Sequence, residues 1–138
     1  MKSSKYNILI ADDDFLLLQS LKILVERLGH TVVCTAETEA EVLQWVKSNS
    51  IDLALLDIGM QESDGIVTAG ILRDQYKIPT VIISGYGDIE YVEKAARAGV
   101  MSYLIKPISY VELQAAIETA IARSREIQNL EDKLIAKN

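Results

Sequence analysis

The chain has 138 residues, about half of them hydrophobic, and a formal net charge of −6. This length suits one domain, and the apolar content is enough for a hydrophobic core, which argues against a disordered chain. The acidic charge argues against direct binding of nucleic acid, and no apolar run is long enough for a signal-peptide core or a membrane span. We therefore expect a cytoplasmic domain. Cys34 stands alone, which excludes an internal disulfide and predicts a small buried hydrophobe.

Five short apolar runs are predicted to be strands, because uninterrupted Val, Ile and Leu are typical of strands buried on both faces. They lie at residues 8–11, 31–34, 53–56, 81–83 and 103–105. Helical spacing separates them: the first helix carries apolar residues from Leu17 to Leu28, the others start near Thr38, Asp64, Ile89 and Ser109, and Gly29 and Gly99 are stops. Five strand–helix units in strict alternation predict a parallel sheet with right-handed crossovers.

The fifth helix has no obvious stop in the sequence. Ile127, Leu130 and Leu134 continue an apolar spacing of three and four, so a helix from Tyr110 to Ala136 would be about 40 Å long. A helix covering one sheet edge needs less, and such spacing is typical of helices that pair. We expect a domain at residues 1–122 and a linker or dimerising stalk at 123–138, in preference to a frayed, solvated extension.

Polar side chains follow four of the predicted strands. Asp12 and Asp13 follow the first, Asp57 the third, Ser84 the fourth and Lys106 the fifth. The carboxyl ends of parallel strands meet at one edge, and ligands bind in the crevice there. These side chains are therefore predicted to form one site.

The residue types indicate a cation and a phosphate. Three neighbouring carboxylates repel one another unless a cation or protons neutralise them, and oxygen ligands without His or Cys favour Mg²⁺, Mn²⁺ or Ca²⁺. Because Mg²⁺ takes one or two carboxylates, Asp13 and Asp57 suit direct ligation and Asp12 the orienting of a bound water. Lys106 would contact a phosphoryl oxygen and Ser84 would donate a hydroxyl. A carboxylate can also be the nucleophile and form an aspartyl-phosphate.

Five motifs, in order and at matching spacing, resemble the receiver domains of two-component response regulators. They are Ile-Ala-Asp-Asp-Asp at 10–14, Leu-Leu-Asp-Ile-Gly-Met at 55–60, Asp-Gly at 64–65, Pro-Thr-Val-Ile-Ile-Ser-Gly at 79–85 and Ala-Gly-Val-Met-Ser-Tyr-Leu-Ile-Lys-Pro at 98–107. The resemblance runs from about Tyr6 to Ala122. It implies a flavodoxin-like (βα)5 fold with strand order 2-1-3-4-5, followed here by an extended C-terminal helix.

The resemblance also implies roles for the strand-end residues. Asp57 would accept a phosphoryl group from a histidine kinase or phosphotransfer protein. Asp12, Asp13, Asp57 and the backbone carbonyl of Gly59 would hold Mg²⁺, with Mn²⁺ as a substitute. Lys106 would contact the phosphate, and its bond to Pro107 would be cis. Such a domain is a phosphoacceptor and no enzyme in the usual sense, although it assists its own phosphorylation and dephosphorylation.

Ser84 and Tyr103 would be the switch pair that reports phosphorylation. The hydroxyl of Ser84 would move toward the phosphoryl group, and Tyr103 would rotate into the vacated space. This would change the surface of helix 4, strand 5 and helix 5, where an output such as transcription is controlled. A homodimer would form through that surface or through the C-terminal helix. The tail resembles segments that join receivers to ANTAR-type RNA-binding modules or to sensor and kinase modules.

Several residues depart from the family pattern or stay open. Gln61 replaces a usual Pro, and Gly59 and Tyr86 stand where residues tune hydrolysis, which predicts slow self-dephosphorylation. Asp14 is either a first-turn acid of helix 1 or metal support, while His30 is predicted to be structural at a surface turn and Trp45 to serve packing. The alternative function is a receiver-like interaction or dimerisation module that is never phosphorylated.

Two rivals fit the sequence poorly. A flavin-binding flavodoxin should have a phosphate-binding loop after strand 1, where the three acids at 12–14 would repel phosphate. A haloacid-dehalogenase-type phosphatase needs an Asp-x-Asp motif, whereas Asp57 is followed by Ile-Gly.

Overall fold

The structure is a computed structural model that describes residues 5–58, 64–85 and 89–137. Strands and helices alternate along the chain, as the two periodicities in the sequence predict. In order they are β1 Asn7–Ala11, α1 Phe15–Arg27, β2 Thr31–Ala36, α2 Glu39–Ser48, β3 Leu53–Asp57, α3 Gly65–Ile71 continued by a π-helix at Leu72–Tyr76, β4 Thr80–Ser84, α4 Ile89–Arg97, β5 Ser102–Ile105 and α5 Tyr110–Lys137.

The five strands form one parallel sheet in the order β2-β1-β3-β4-β5, which confirms the predicted flavodoxin-like topology. Every residue of β3 and β4 is buried. Alternate residues of β1 serve two cores: Ile8 and Ile10 pack with α1 and α5, whereas Leu9 and Ala11 pack with the helices on the opposite face. This double burial explains the unbroken apolar runs in the sequence.

Side-chain caps fix the start of four helices. Thr38 Oγ1 accepts from the Glu41 N–H at 3.2 Å, and Ser109 Oγ accepts from the Glu112 N–H at 3.1 Å, at two of the predicted helix starts. Asp14 and Asp64 cap α1 and α3. These caps fix where each of the four helices begins after the carboxyl end of the preceding strand.

Three features differ from the expectations. His30 is buried, not at a surface turn: its Nδ1 accepts from the Tyr6 N–H at 3.2 Å, and its ring stacks on the ring of Tyr6. Val67 of α3 is apolar and yet 56% exposed, because it lies one position off the buried line through Ile66 and Ala69. The π-helix after α3, which ends at a left-handed Lys77, was not predicted.

Cys34 is a buried free cysteine, as predicted. Trp45 was predicted to serve packing, but it is 39% exposed and belongs to neither core. Its Nε1 donates to the Thr35 carbonyl at 3.0 Å, so it joins α2 to β2 by a hydrogen bond.

The last helix continues without a break past residue 122. Its 28 residues make a rod of about 42 Å. The first part is buried on the sheet through Leu113, Ile117 and Ile121. Farther along, the Arg125 guanidinium lies 5.5 Å from the centre of the Tyr6 ring. None of the helices that the structure describes is long and apolar enough to cross a membrane.

Candidate functional site

Asp57 occupies the carboxyl end of β3, the central strand of the sheet. It is 7% exposed and is paired in register with Ile83 of β4. Asp12 and Asp13 follow β1, the neighbour of β3 on the other side. One carboxylate oxygen from each of Asp12, Asp13 and Asp57 lies within 4.8 Å of the others, so the structure brings the three predicted acids together.

Lys106 reaches the same point from the far edge of the sheet. Its Nζ lies 3.4 Å from Asp57 Oδ1 and 3.5 Å from Asp12 Oδ2. The backbone N–H of Lys106 donates to the Ser84 carbonyl at 2.8 Å, which fixes the chain where it leaves β5. The Lys106–Pro107 peptide bond is cis, as the resemblance implies. The lysine is thus positioned over β4 toward the carboxylates.

Asp12 is the most deeply buried of the three acids, and its surroundings disfavour the ionised carboxylate. Its side chain is fully buried, and burial raises the pKa of its carboxyl group, an effect to which the Asp57 charge adds. The Asp14 N–H, which donates to Asp12 Oδ1 at 2.9 Å, and the Lys106 charge oppose that rise. Asp12 Oδ2 has no hydrogen-bond partner within the described part of the chain, although Lys106 is near. A buried carboxylate oxygen without a partner is costly, and a cation would offset this cost.

The donor set fits a hard divalent cation. It consists of carboxylate oxygens, and neither His30 nor Cys34 belongs to the cluster. Such a set favours Mg²⁺ or Mn²⁺ over zinc. Asp13 is the exposed member of the three, so the cluster is open to solvent on its side. The predicted backbone ligand Gly59, together with Gln61 and Tyr86, lies outside the described residues.

Asp14 serves the helix and is no member of the acidic cluster. Its Oδ1 accepts from the Leu16 and Leu17 N–H groups at 3.0 and 3.3 Å. Of the two interpretations left open by the sequence, the structure therefore favours the one at the start of α1.

The two predicted switch residues lie on one face of the sheet. Ser84 is fully buried at the end of β4, next to the position paired with Asp57. Tyr103 lies opposite Ile82 in the register of β4 and β5 and packs against the core on that face. Since residues two apart on a strand share a face, Ser84 and Tyr103 both point to the side that carries α4.

An exposed apolar surface beside the acids was not anticipated. Phe15 and Leu16, at the start of α1, are 61% and 76% exposed. Pro107 and Ile108 lie across a groove from Leu17, and this groove has a volume of about 400 Å³. The sequence held a signal for it, because Phe15 and Leu16 lie outside the buried line of α1, which is Leu18, Leu21 and Val25.

Comparison with known proteins identifies the family. The family model of the response regulator receiver domain matches residues 8–118. The transcriptional regulatory protein PdtaR of Mycobacterium tuberculosis is 33% identical over 127 residues, which cover 92% of this chain and 62% of that protein. The transcriptional regulatory protein ZraR of Escherichia coli is 33% identical over 128 residues, covering 92% of this chain and 29% of that protein. The chain therefore spans less than two thirds of these relatives.

Solved structures agree with this assignment. The signal receiver domain of a modulated diguanylate cyclase from Desulfovibrio desulfuricans superposes with a TM-score of 0.81 and 29% identity, over 88% of this chain and 98% of that one. A CheY-like receiver domain protein from Methanospirillum hungatei gives 0.79 and 27%, over 89% and 98%. Fold, family model and sequence motifs agree, and the chain belongs to the response regulator receiver family, whose members are phosphoacceptors in two-component signalling.

Proposed function

We propose that Asp57 is the residue that is phosphorylated. The observation that carries this proposal is the convergence of three carboxylates within 4.8 Å, with Lys106 Nζ within 3.5 Å of two of them. Asp12 is a poorer nucleophile, because it is fully buried and Asp14 occupies one of its oxygens. Asp57 retains some exposure at the end of the central strand.

The reaction is a transfer of one phosphoryl group. A carboxylate oxygen of Asp57 attacks phosphorus, the bond from phosphorus to the donor nitrogen of a phosphohistidine breaks, and the imidazole leaves with its electron pair. Lys106 compensates the negative charge on the phosphoryl oxygens. Asp12, Asp13, Asp57 and the Gly59 carbonyl would hold Mg²⁺, which supplies further positive charge to those oxygens when it is bound. Without that compensation the three acids would repel the incoming phosphate.

The donor is a histidine kinase or phosphotransfer protein that docks on the apolar surface beside Asp57. Phe15 and Leu16 follow the acids at 12–14, and Pro107 follows Lys106; the exposure of all three suits the apolar face of a helix that presents its phosphohistidine to Asp57. The domain contributes residues to its own phosphorylation and dephosphorylation, and the partner supplies the phosphoryl group.

Phosphorylation is read on the surface of α4, β5 and α5. The hydroxyl of Ser84 donates to a phosphoryl oxygen, and Tyr103 turns into the space that Ser84 leaves. The surface is rich in exposed apolar side chains, since Ile89 is 70%, Ile105 43% and Val111 73% exposed. An output domain or a second receiver would bind there once the surface changes, and residues 123–138 would link the domain to that output.

Treatment with acetyl phosphate and Mg²⁺, followed by intact-mass measurement, tests the proposal. We expect one phosphoryl adduct that is lost in Asp57→Ala and retained in Asp132→Asn, which removes an exposed acid on α5 instead. No adduct, under conditions that label other receivers, would contradict the proposal and favour an interaction module that is never phosphorylated. An adduct that survives in Asp57→Ala would place the phosphorylation elsewhere.

A further inference from the structure

The final segment of α5, residues 123–137, carries an apolar stripe and is called the tail helix here. Ile127, Leu130 and Leu134 are 45%, 61% and 64% exposed. Their spacing of three and four places them on one line along the helix. Large apolar side chains grouped in this way are typical of a surface that pairs with another helix.

A different side of the tail helix faces the body of the domain. Glu131 Oε2 lies 4.0 Å from Lys77 Nζ, and Ser124 and Gln128 line a cleft of about 120 Å³ opposite Arg73. Ile127 lies at the border of this cleft. Leu130 and Leu134 lie away from it, so the described residues of the chain leave the stripe exposed.

We propose that this stripe binds the same stripe of a second copy of the chain, with the two tail helices antiparallel. Such a pair is symmetric, because each copy contributes the same surface. In the seven-residue repeat of paired helices, Ile127 and Leu134 occupy the first core position and Leu130 the second. In an antiparallel pair Ile127 would contact Leu130 of the second copy, and the reverse contact would repeat it.

The charges beside the stripe decide the orientation. Glu126 directly precedes Ile127, and Lys133 directly precedes Leu134. Glu131 directly follows Leu130. In a parallel pair Glu126 would face Glu131 of the second copy, and Arg123, at a core position, would face Arg123. Both contacts bring like charges together.

The antiparallel pair removes both repulsions. Glu126 would face Lys133 of the second copy, and the symmetry makes this ion pair twice. Arg123 would lie against Leu134, where the aliphatic part of its side chain can pack while its guanidinium reaches water. The charge pattern therefore complements a second copy in one orientation only.

The unphosphorylated chain of 138 residues is the material for the test, since the stripe is remote from Asp57 and its pairing needs no phosphorylation. Because each copy contributes only three large apolar side chains, the dimer should be weak, and sedimentation equilibrium should cover about 10 µM to about 1 mM. We expect Leu130→Glu to raise the dissociation constant at least tenfold. Asn129→Glu adds the same charge on the other side of the helix and should leave the constant unchanged. A chain that is monomeric throughout, or a dimer that tolerates Leu130→Glu, would overturn the proposal.

Glu126→Lys separates the two orientations. In the antiparallel pair it would face Lys133 of the second copy and weaken the dimer about fivefold, since two exposed ion pairs become repulsive. In a parallel pair it would gain attraction to Glu131 and strengthen the dimer. The double variant Glu126→Lys, Lys133→Glu should restore antiparallel binding. A stronger dimer with Glu126→Lys alone would refute the antiparallel arrangement.

A distance measurement gives an independent readout. A spin label on Ala136→Cys should be separated from its copy by about 22 Å along the axis in the antiparallel pair, because residue 136 lies opposite residue 121. A parallel pair would bring the labels to about 10 Å, the usual distance between helix axes. Cys34 is buried and should remain unlabelled. The short distance would exclude the proposal.

Discussion

Lys106 Nζ lies 3.4 Å from Asp57 Oδ1, although the two residues are 49 positions apart and β4 separates their strands. The contact exists because parallel strands end at one edge and the Lys106 N–H is held by the Ser84 carbonyl. The lysine therefore compensates two buried carboxylates, with Asp12 at 3.5 Å as the second.

Replacing Lys106 by Met should slow phosphorylation by acetyl phosphate at least tenfold. Met fills similar space but lacks the positive charge that approaches the phosphoryl oxygens, and a loss of tenfold corresponds to about 1.4 kcal/mol. Rates from intact-mass time courses would measure the effect. Lys47→Met, on the exposed side of α2, is the matched control and should react as the wild type does. A Lys106→Met variant with the wild-type rate would argue against this role.

Asp12→Asn should stabilise the metal-free domain while weakening its affinity for Mg²⁺. Asn keeps the acceptor for the Asp14 N–H and removes a buried negative charge, whose unfavourable burial is also what raises the pKa of the Asp12 carboxyl group. We therefore expect the free energy of unfolding at neutral pH to rise by about 1–2 kcal/mol. Urea denaturation in the presence of a chelator would measure it.

In excess Mg²⁺ the wild type should be more stable than Asp12→Asn, the reverse of the order without metal. A ligand that binds the folded state raises the free energy of unfolding only of the protein that binds it. Asp132→Asn removes an exposed acid and should change stability by less than about 0.5 kcal/mol in either buffer. If Asp12→Asn destabilised the metal-free domain, the cost assigned to the buried carboxylate would be wrong.

His30 should make the domain less stable in mild acid. Burial lowers the pKa of its imidazole, and its Nδ1 accepts from the Tyr6 N–H, so the folded state favours the neutral ring. The unfolded chain takes up a proton near pH 6.5, whereas the folded chain does so only at lower pH. The contribution of this group to stability is therefore complete above about pH 6.5 and declines as the pH falls below that value.

The variant His30→Asn isolates this effect, because the Asn amide oxygen can accept the same hydrogen bond without titrating. Urea denaturation at pH 7.5 and pH 5.5 should show a larger decrease for the wild type. Equal decreases would mean that other groups cause the acid sensitivity.

Leu16→Glu should reduce phosphotransfer from a histidine kinase at least tenfold and leave labelling by acetyl phosphate unchanged. Leu16 is 76% exposed in the first turn of α1, directly after the acids at 12–14, so the change should affect docking and spare both the fold and the chemistry. Ile23→Glu, two turns farther along α1 and 51% exposed, is the control for distance from the site. A Leu16→Glu variant that is labelled normally by both donors would show that the kinase binds another surface.

Gly99→Ala should destabilise the domain by about 1–2 kcal/mol. Gly99 has a φ of 81°, and an added Cβ would collide with the guanidinium of Arg73, which donates to the Ala98 carbonyl. Thermal denaturation would measure the loss. In an Arg73→Ala background, Gly99→Ala should cost less than it does in the wild type, because no guanidinium then meets the added Cβ. An equal cost in both backgrounds would attribute the whole effect to the backbone.

The sequence predicted the site better than its surroundings. Asp12, Asp57 and Lys106 follow apolar runs, and the geometry of parallel strands is enough to bring such residues together. The burial of His30 was missed because its partner, Tyr6, is 24 residues away and no local pattern connects them. The π-helix and the left-handed Lys77 were missed for a similar reason, since packing between distant segments overrides local propensity.

Helix α5 begins four residues after Lys106 and ends beyond the opposite edge of the sheet, at the side of Lys77. One continuous rod of about 42 Å thus connects the two ends of the domain. A tilt of only about 5° at its start would displace its far end by roughly 4 Å if the rod stays straight. The helix therefore has the shape of a lever: a small tilt of its start, near Asp57, would cause a larger displacement of the tail helix.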